Sequence, residues 1–171
     1  MNIIKLKSNY LRHFLLLVRV FGIYLFLWLY VGVFKNDLGI NALLITSIII
    51  FILDTLPAII VHLQYLAHEY KVKIEISEQE KKLFYFHKGQ IKIYDLKELT
   101  KLESYLSYAG GSGLNAWSEY EFYRISFLNG EQLIVTNLRT PNFGKEIANI
   151  TGLIPEKKMG VISFLPPIGK L

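Results

Sequence analysis

The chain has 171 residues, with 19 Lys and Arg against 14 Asp and Glu, four His, no Cys, and 52% hydrophobic residues. That length holds one domain, or a small domain with an appendage. The absence of Cys excludes a disulfide scaffold, thiolate zinc sites, iron–sulfur clusters and a Cys nucleophile.

Charge and apolar residues are unevenly spread. Most of the apolar excess lies before residue 67. Residues 1–69 carry five basic and three acidic residues, and residues 70–171 carry fourteen and eleven. A mildly basic second part lacks the strong stripe expected of a nucleic-acid binder, so no nucleic acid is expected as a partner.

In chain order, a basic N-terminal segment over residues 1–13 (Lys5, Lys7, Arg12) leads into two apolar runs. Residues 14–34 hold one charge, Arg19, and residues 40–61 hold one charge, Asp54. At about 1.5 Å per residue each run spans a ~30 Å hydrocarbon core. Both are apolar on every face, which a soluble core helix seldom sustains for twenty residues. The first run is too long for a signal-peptide core and no small-residue cleavage site follows it. The pattern predicts a transmembrane hairpin: helix one over 14–34, an extracytoplasmic turn over 35–39, and helix two over 40–66 with a cytoplasmic extension. Basic residues flank the hairpin at its open end, Lys5, Lys7 and Arg12 on one side and Lys71 and Lys73 on the other. The positive-inside rule then puts both termini in the cytoplasm of a multi-pass protein of the plasma (inner) membrane. Arg19 and Asp54 lie at matching depths of an antiparallel hairpin, which predicts an intramembrane ion pair between them. Left isolated, either charge would cost on the order of 3 kcal/mol or more. Such a pair fixes the register of the hairpin or, alternatively, serves ion relay or transport. Pro57, one turn past Asp54, can kink the second helix.

From Tyr70 the period changes to two. Residues 70–77 alternate Val72, Ile74 and Ile76 with Lys71, Lys73 and Glu75, the mark of a half-buried strand. Further strands are expected over 83–87, 91–94, 99–108, 121–128 and 132–138, with a loop over 109–118. Asn129-Gly130 between the last two strands is the strongest short hairpin signal. Thr140 then caps a helix, Pro141 takes its first position, Phe143, Ile147 and Ile150 form its apolar stripe, and Gly152 ends it. A tail over 156–171 mixes Lys157 and Lys158 with apolar residues, and its burial needs predict docking on the barrel or on the membrane.

No constellation carries catalysis. Gly110-Gly111-Ser112-Gly113 has no following Lys-Ser/Thr and reads as a flexible loop. His62 and His68 are spaced poorly for metal ligation and read as interfacial or solvated. The Asn149-Ile150-Thr151 sequon falls in the expected cytoplasmic helix. No enzyme activity, metal or cofactor is expected. The excess of Lys over residues 81–101 points instead to anionic lipid headgroups, with Lys81, Lys82 and Lys88 in early hairpin turns as candidate contacts.

The order of parts, and the stretch WSEYEFYRISFLNGEQLIVTNLRTPN over residues 117–142, resemble bacterial membrane proteins with a pleckstrin-homology-like domain, including the YcxB-like type. The resemblance implies a membrane α-helical hairpin plus an α+β domain over 70–155: a PH-like bent β-barrel or orthogonal sandwich of about seven strands capped by a C-terminal helix. It implies no catalytic residues. The expected function is a non-enzymatic cytoplasmic interaction module whose partner is a protein, the anionic leaflet or a second copy. Two alternatives stand beside it: a membrane immunity or antitoxin-type protein, and a small-solute transport or sensing subunit using Arg19 and Asp54.

Overall fold

A computed structural model of the chain describes residues 3–6, 18, 21–22, 24–26, 28–29, 40–70, 72–107, 120–138, 142–160 and 164–166. The chain opens with a strand, β1 (Ile3–Leu6). The described residues between 18 and 29 are helical. Helix α1 (Ile40–Ile50) runs through one π-helical turn, Phe51–Thr55, into α2 (Leu56–Glu69). Within that turn Leu56 N–H bonds the Phe51 carbonyl, five residues back. Pro57 lies one residue beyond. Its ring would collide with the Leu53 carbonyl of an unbroken α-helix, and the wider turn relieves that collision.

Three strands follow as a meander: β2 (Val72–Ser77), β3 (Lys82–His87) and β4 (Gln90–Asp95). A single 3-10 turn over Leu96–Glu98 leads to β5 (Leu99–Ser107). Then come β6 (Glu121–Phe127), β7 (Gln132–Thr136), helix α3 (Phe143–Thr151) and β8 (Glu156–Gly160). Two four-stranded sheets result, with orders β1-β2-β3-β4 and β7-β6-β5-β8. All ladders are antiparallel except β5 with β8.

This corrects the expected barrel in count and closure. Eight strands are present among the described residues, in two sheets that no ladder joins into a closed barrel. The additional strands are the two ends. β1 pairs with β2 from Ile3↔Ser77 to Leu6↔Ile74, so residues 3–6 of the basic N-terminal segment form a strand of the first sheet. β8 covers the free edge of β5.

Alternation dictates which side chains meet. Ile74, Ile76 and Leu83 of the first sheet face Leu102, Ile125, Phe127, Leu133 and Val135 of the second, with Leu6 added by β1. Phe143 and Ile147 of α3 close this core, and Gly152 at φ +78 ends the helix as expected. Thr140 and Pro141, the expected start of that helix, lie outside the described residues. Asn142 is the N-cap, without a side-chain cap bond.

A second core lies on the other face of β6 and β7. Phe122 and Ile134 point away from the first core and meet Val61 and Tyr65 of α2, with Tyr120 and Leu138. The molecule is therefore layered: α2, the second sheet, the main core, the first sheet.

Candidate functional site

Among the described residues one helical stretch, Leu44–Glu69, is long and apolar enough to cross a membrane. Its two halves differ. Ile45, Ile48, Ile49, Ile52 and Leu53 are all more than half exposed. From Ala58 on, a stripe is buried: Ala58, Val61, His62, Tyr65 and Glu69. These recur at helical spacing and form the face laid on β6 and β7. The expected apolar run concealed this stripe, because Val61 and Ala58 look the same facing lipid or protein.

Three hydrogen bonds and one ring contact fix the docked half. His62 Nδ1 and the Tyr120 hydroxyl share a hydrogen bond of 2.8 Å. His68 Nε2–H donates to the Ile134 carbonyl at 3.1 Å. The Thr136 hydroxyl donates to the Glu69 carboxylate. Tyr65 and Tyr120 meet edge to face. His62, expected solvated or interfacial, is thus buried at 4% exposure. The partner sequence of these contacts gives a direction. His62 lies level with Tyr120, before β6 begins, whereas His68 and Glu69 lie level with Ile134 and Thr136 in β7. The exposed apolar half therefore leaves the domain at the end of the sheet marked by Tyr120 and Leu138.

Asp54 sits in the π turn and is half-buried. Beside it the Thr55 hydroxyl shares a 2.6 Å hydrogen bond with the Tyr24 hydroxyl, which brings the helical residues near 24 against the turn. Arg19, the expected partner of Asp54, lies outside the described residues.

The three lysines proposed for headgroups do not share one edge. Lys81 and Lys82 lie where β2 turns into β3, and Lys88 lies in the turn from β3 to β4. Six-residue β3 separates them by ~17 Å. Lys88 and Gly89 both have positive φ, +48° and +82°, which makes a tight primed turn that points the Lys88 side chain into solvent. Asn129-Gly130 makes a different hairpin. Gly130 N–H bonds the Phe127 carbonyl and Phe127 N–H bonds that of Glu131, a type I turn closed by a left-handed glycine.

Two further surfaces were not legible from motifs. A cleft of ≈ 280 Å³ opens between β4 and β7, lined by His68, Tyr85, His87, Lys92, Tyr94 and Glu131 among others. Lys92 and Glu131 bridge it at 3.0 Å. Burial first, and then the Glu131 charge, push the Tyr94 hydroxyl up to about 12, so it stays a neutral donor at physiological pH. On the outer face of the first sheet, Phe84 pairs with Ile93 and Phe86 with Ile91. Both isoleucines are 59% exposed, and Lys73 Nζ lies 5.1 Å from the Phe86 ring centre.

The β5–β8 side is held by charge. Lys101 Nζ reaches Glu103 at 2.8 Å and Glu156 at 3.3 Å. Burial alone would raise the Glu103 carboxyl, but the Lys101 hydrogen bond and charge, with Arg124 and Lys158, outweigh it and hold the group below its ordinary value. Arg124 also covers the Tyr105 ring at 4.8 Å. No group of three or more metal-ligating side chains occurs among the described residues.

Two sheets, a capping helix and a match of residues 4–142 to the family model described as a PH domain decide the relationship. The chain belongs to the PH-domain family. No curated protein matches it. The matched stretch starts within β1 and ends at the N-cap of α3, so this PH domain counts the N-terminal strand as its own and contains the apolar helices between its first two strands. PH-like domains generally mediate protein or lipid interactions, which makes this one a candidate interaction module.

Proposed function

We infer that the chain is a non-enzymatic PH-like interaction module held at the cytoplasmic face of the inner membrane by the apolar runs 14–34 and 40–61, presenting its surfaces to a protein partner or to the leaflet itself. One observation carries this reading. β1 and β2 pair directly, residue for residue, although the two apolar runs lie between them. An insertion whose two ends share a ladder returns to the side it left, which supports an even number of crossings. The exposed apolar side chains of α1 and the π turn need a nonaqueous environment, since a contiguous apolar surface of that length is not stable in water. Residues 40–57 would extend ~27 Å as a helix, close to the hydrocarbon thickness.

The chain contains no Cys, so single introduced thiols report topology directly. With the full chain in native membranes, a membrane-impermeant maleimide is expected to label Asn36→Cys from outside intact cells, and Leu128→Cys only after permeabilisation. Labelling of Leu128→Cys in intact cells would reverse the orientation. Equal labelling of both without permeabilisation, or recovery of the chain in the soluble fraction, would overturn membrane anchoring.

A further inference from the structure

β4 ends the first sheet and β7 ends the second, and the cleft of ≈ 280 Å³ opens between these two edges. The edges differ in what they still offer. The two-residue turn Lys88-Gly89 makes His87 and Gln90 a hydrogen-bonded pair, and such pairs alternate along an antiparallel ladder. The backbone groups of Lys92 and Tyr94 therefore bond to β3, and the Leu96 N–H on the Lys81 carbonyl at 2.7 Å keeps the same phase. Those of Ile91 and Ile93 point out of the sheet edge, and Gln90 to Ile93 are all exposed. No described strand pairs with them. On β7 the same count turns Ile134 outward, but His68 Nε2–H already bonds its carbonyl. Helix α2 thus occupies the edge of β7 and leaves that of β4 open.

An open edge with exposed apolar residues is a template for another strand. The register says what that strand would meet. On the outer face it would lie beside Ile91 and Ile93, both 59% exposed, with Phe84 and Phe86 behind them. On the inner face it would lie beside Lys92 and Tyr94, over the cleft. From Lys81 to Lys97 five lysines stand against one acid, Asp95, whose carboxylate accepts the Lys97 N–H. Across the cleft, Glu131 is paired with Lys92.

Two occupants are badly placed. Twenty helical residues from Ile40 fill a ~30 Å hydrocarbon core and end near Ile59, and His68, which lines the cleft, lies ~13 Å further along the helix, past a headgroup layer of ~5–8 Å. The cleft therefore lies beyond the leaflet's reach. Antiparallel pairing of two β4 strands would set a twofold axis normal to the first sheet. Helix α2 lies in a layer parallel to that sheet, so the axis would reverse it and point the second copy's apolar end away from the membrane of the first.

We propose that β4 takes up an extended segment of a partner protein as an added strand, and that this segment alternates apolar with acidic residues. Backbone groups of Ile91 and Ile93 supply the hydrogen bonds. The apolar side chains of the segment pack on Ile91 and Ile93, and its acidic ones turn into the cleft towards Lys92, competing with Glu131 for it. Charge complementarity with the lysines of β3 and β4 and their turns selects an acidic segment over a basic one. The proposal names the partner of the interaction module and so rests on that reading, and its test separates the two.

The test uses the full chain in uncharged detergent and a fluorescent synthetic peptide of about eight residues that alternates Glu with Ile or Val, long enough to cover β4. Saturable binding, read by anisotropy, is expected. A peptide of the same composition with its Glu and apolar residues in two blocks, and an alternating peptide with Lys for Glu, are expected to bind at least about tenfold more weakly. Ile93→Pro removes an outward N–H and leaves the ladder to β3 whole, so it is expected to abolish binding with little change in unfolding temperature. Ile91→Thr with Ile93→Thr keeps the backbone and the strand preference, and is expected to weaken binding about three- to tenfold. Equal binding of the blocked peptide, or binding indifferent to both variants, overturns strand addition. Equal binding of the Lys peptide overturns the acidic partner. A dimer in detergent that Ile93→Pro dissociates assigns the edge to a second copy and overturns the proposal. Absence of binding by a chain whose Asn36→Cys is labelled from outside the cell overturns the strand site and leaves the anchored module intact. Binding by a chain recovered in the soluble fraction keeps the strand site and overturns anchoring.

Discussion

Glu146 stands in the first turn of α3 with its Oε2 buried and without a hydrogen bond. Burial first, and Glu78 second, push its carboxyl above the ordinary value. A carboxyl raised in the folded chain ionises less readily there than in the unfolded chain, so its charge opposes folding at neutral pH. Stability therefore rises as pH falls through the folded value, and the gain is complete below the unfolded one. Glu146→Gln removes the charge and keeps the shape. Its expected effect is a stabilisation on the order of 0.5 kcal/mol at pH 7, small because solvent still reaches much of the side chain. The difference from the unsubstituted chain should vanish as the pH drops below the usual carboxylate range. Thermal unfolding of both chains in detergent across pH 4–8 measures it, and a destabilised Glu146→Gln at pH 7 would contradict the assignment. Glu103 has the opposite sign: held below its ordinary value, it stabilises above the unfolded value and loses that contribution in acid.

At the element scale, α3 and β6 approach closely at Gly144. A Cβ built on Gly144 would lie 2.5 Å from Cε1 of Tyr123 and 3.0 Å from its Cζ. Tyr123 cannot swing aside, because it is buried in the main core and packed against Phe143. In an exposed helix Gly→Ala gains up to about 1 kcal/mol. Here overpacking costs about 1–3 kcal/mol, so Gly144→Ala is expected to lower stability by roughly 1–2 kcal/mol, read as a fall in unfolding temperature. A neutral or stabilising result would mean that α3 sits further from the sheet. The stripe of α3 was legible in the sequence, from Phe143, Ile147 and Ile150, but the role of Gly144 was not, because the atom it makes room for belongs to another element. The same limit explains the rest. Strands β2 to β7 announce themselves by alternation and turn residues. β1 has four residues and a partner some seventy positions away, and β8, Glu-Lys-Lys-Met-Gly, alternates nothing and is held through its backbone and the ion pairs of Glu156. The docking of α2 was masked because its buried stripe is drawn from the same apolar alphabet as its exposed face. Of the candidate lysines, Lys81 and Lys88 lie in turns and Lys82 opens β3; consecutive turns of a meander alternate ends, so Lys88 could never share an edge with Lys81 and Lys82.

The whole molecule depends on a strand that precedes the helices. β1 contributes Leu6, 4% exposed, to the main core, with Ile4 packed against it, and it covers what would be the free edge of β2. The first sheet of the PH domain is therefore completed by strands that lie on either side of the apolar runs in the sequence. Two covalent connections, one into each end of the insertion, hold the first sheet to the helices, and the α2 contacts hold the second. Deletion of residues 2–6 removes the two large apolar side chains that β1 packs on the main core, Ile4 and Leu6, each worth about 1.5–3 kcal/mol when buried, and the four-residue ladder. The expected loss is about 3–6 kcal/mol in the full chain in detergent. Leu6→Ala, which keeps the ladder, should lose only about 2–4 kcal/mol. Partition into membranes should be unchanged in both, since neither touches residues 40–57. If the deletion unfolds no more easily than the intact chain, residues 3–6 are not a strand of the domain. The two ends of the apolar insertion then lose the ladder that places them on one side, and the even number of crossings would have to rest on the flanking charges alone.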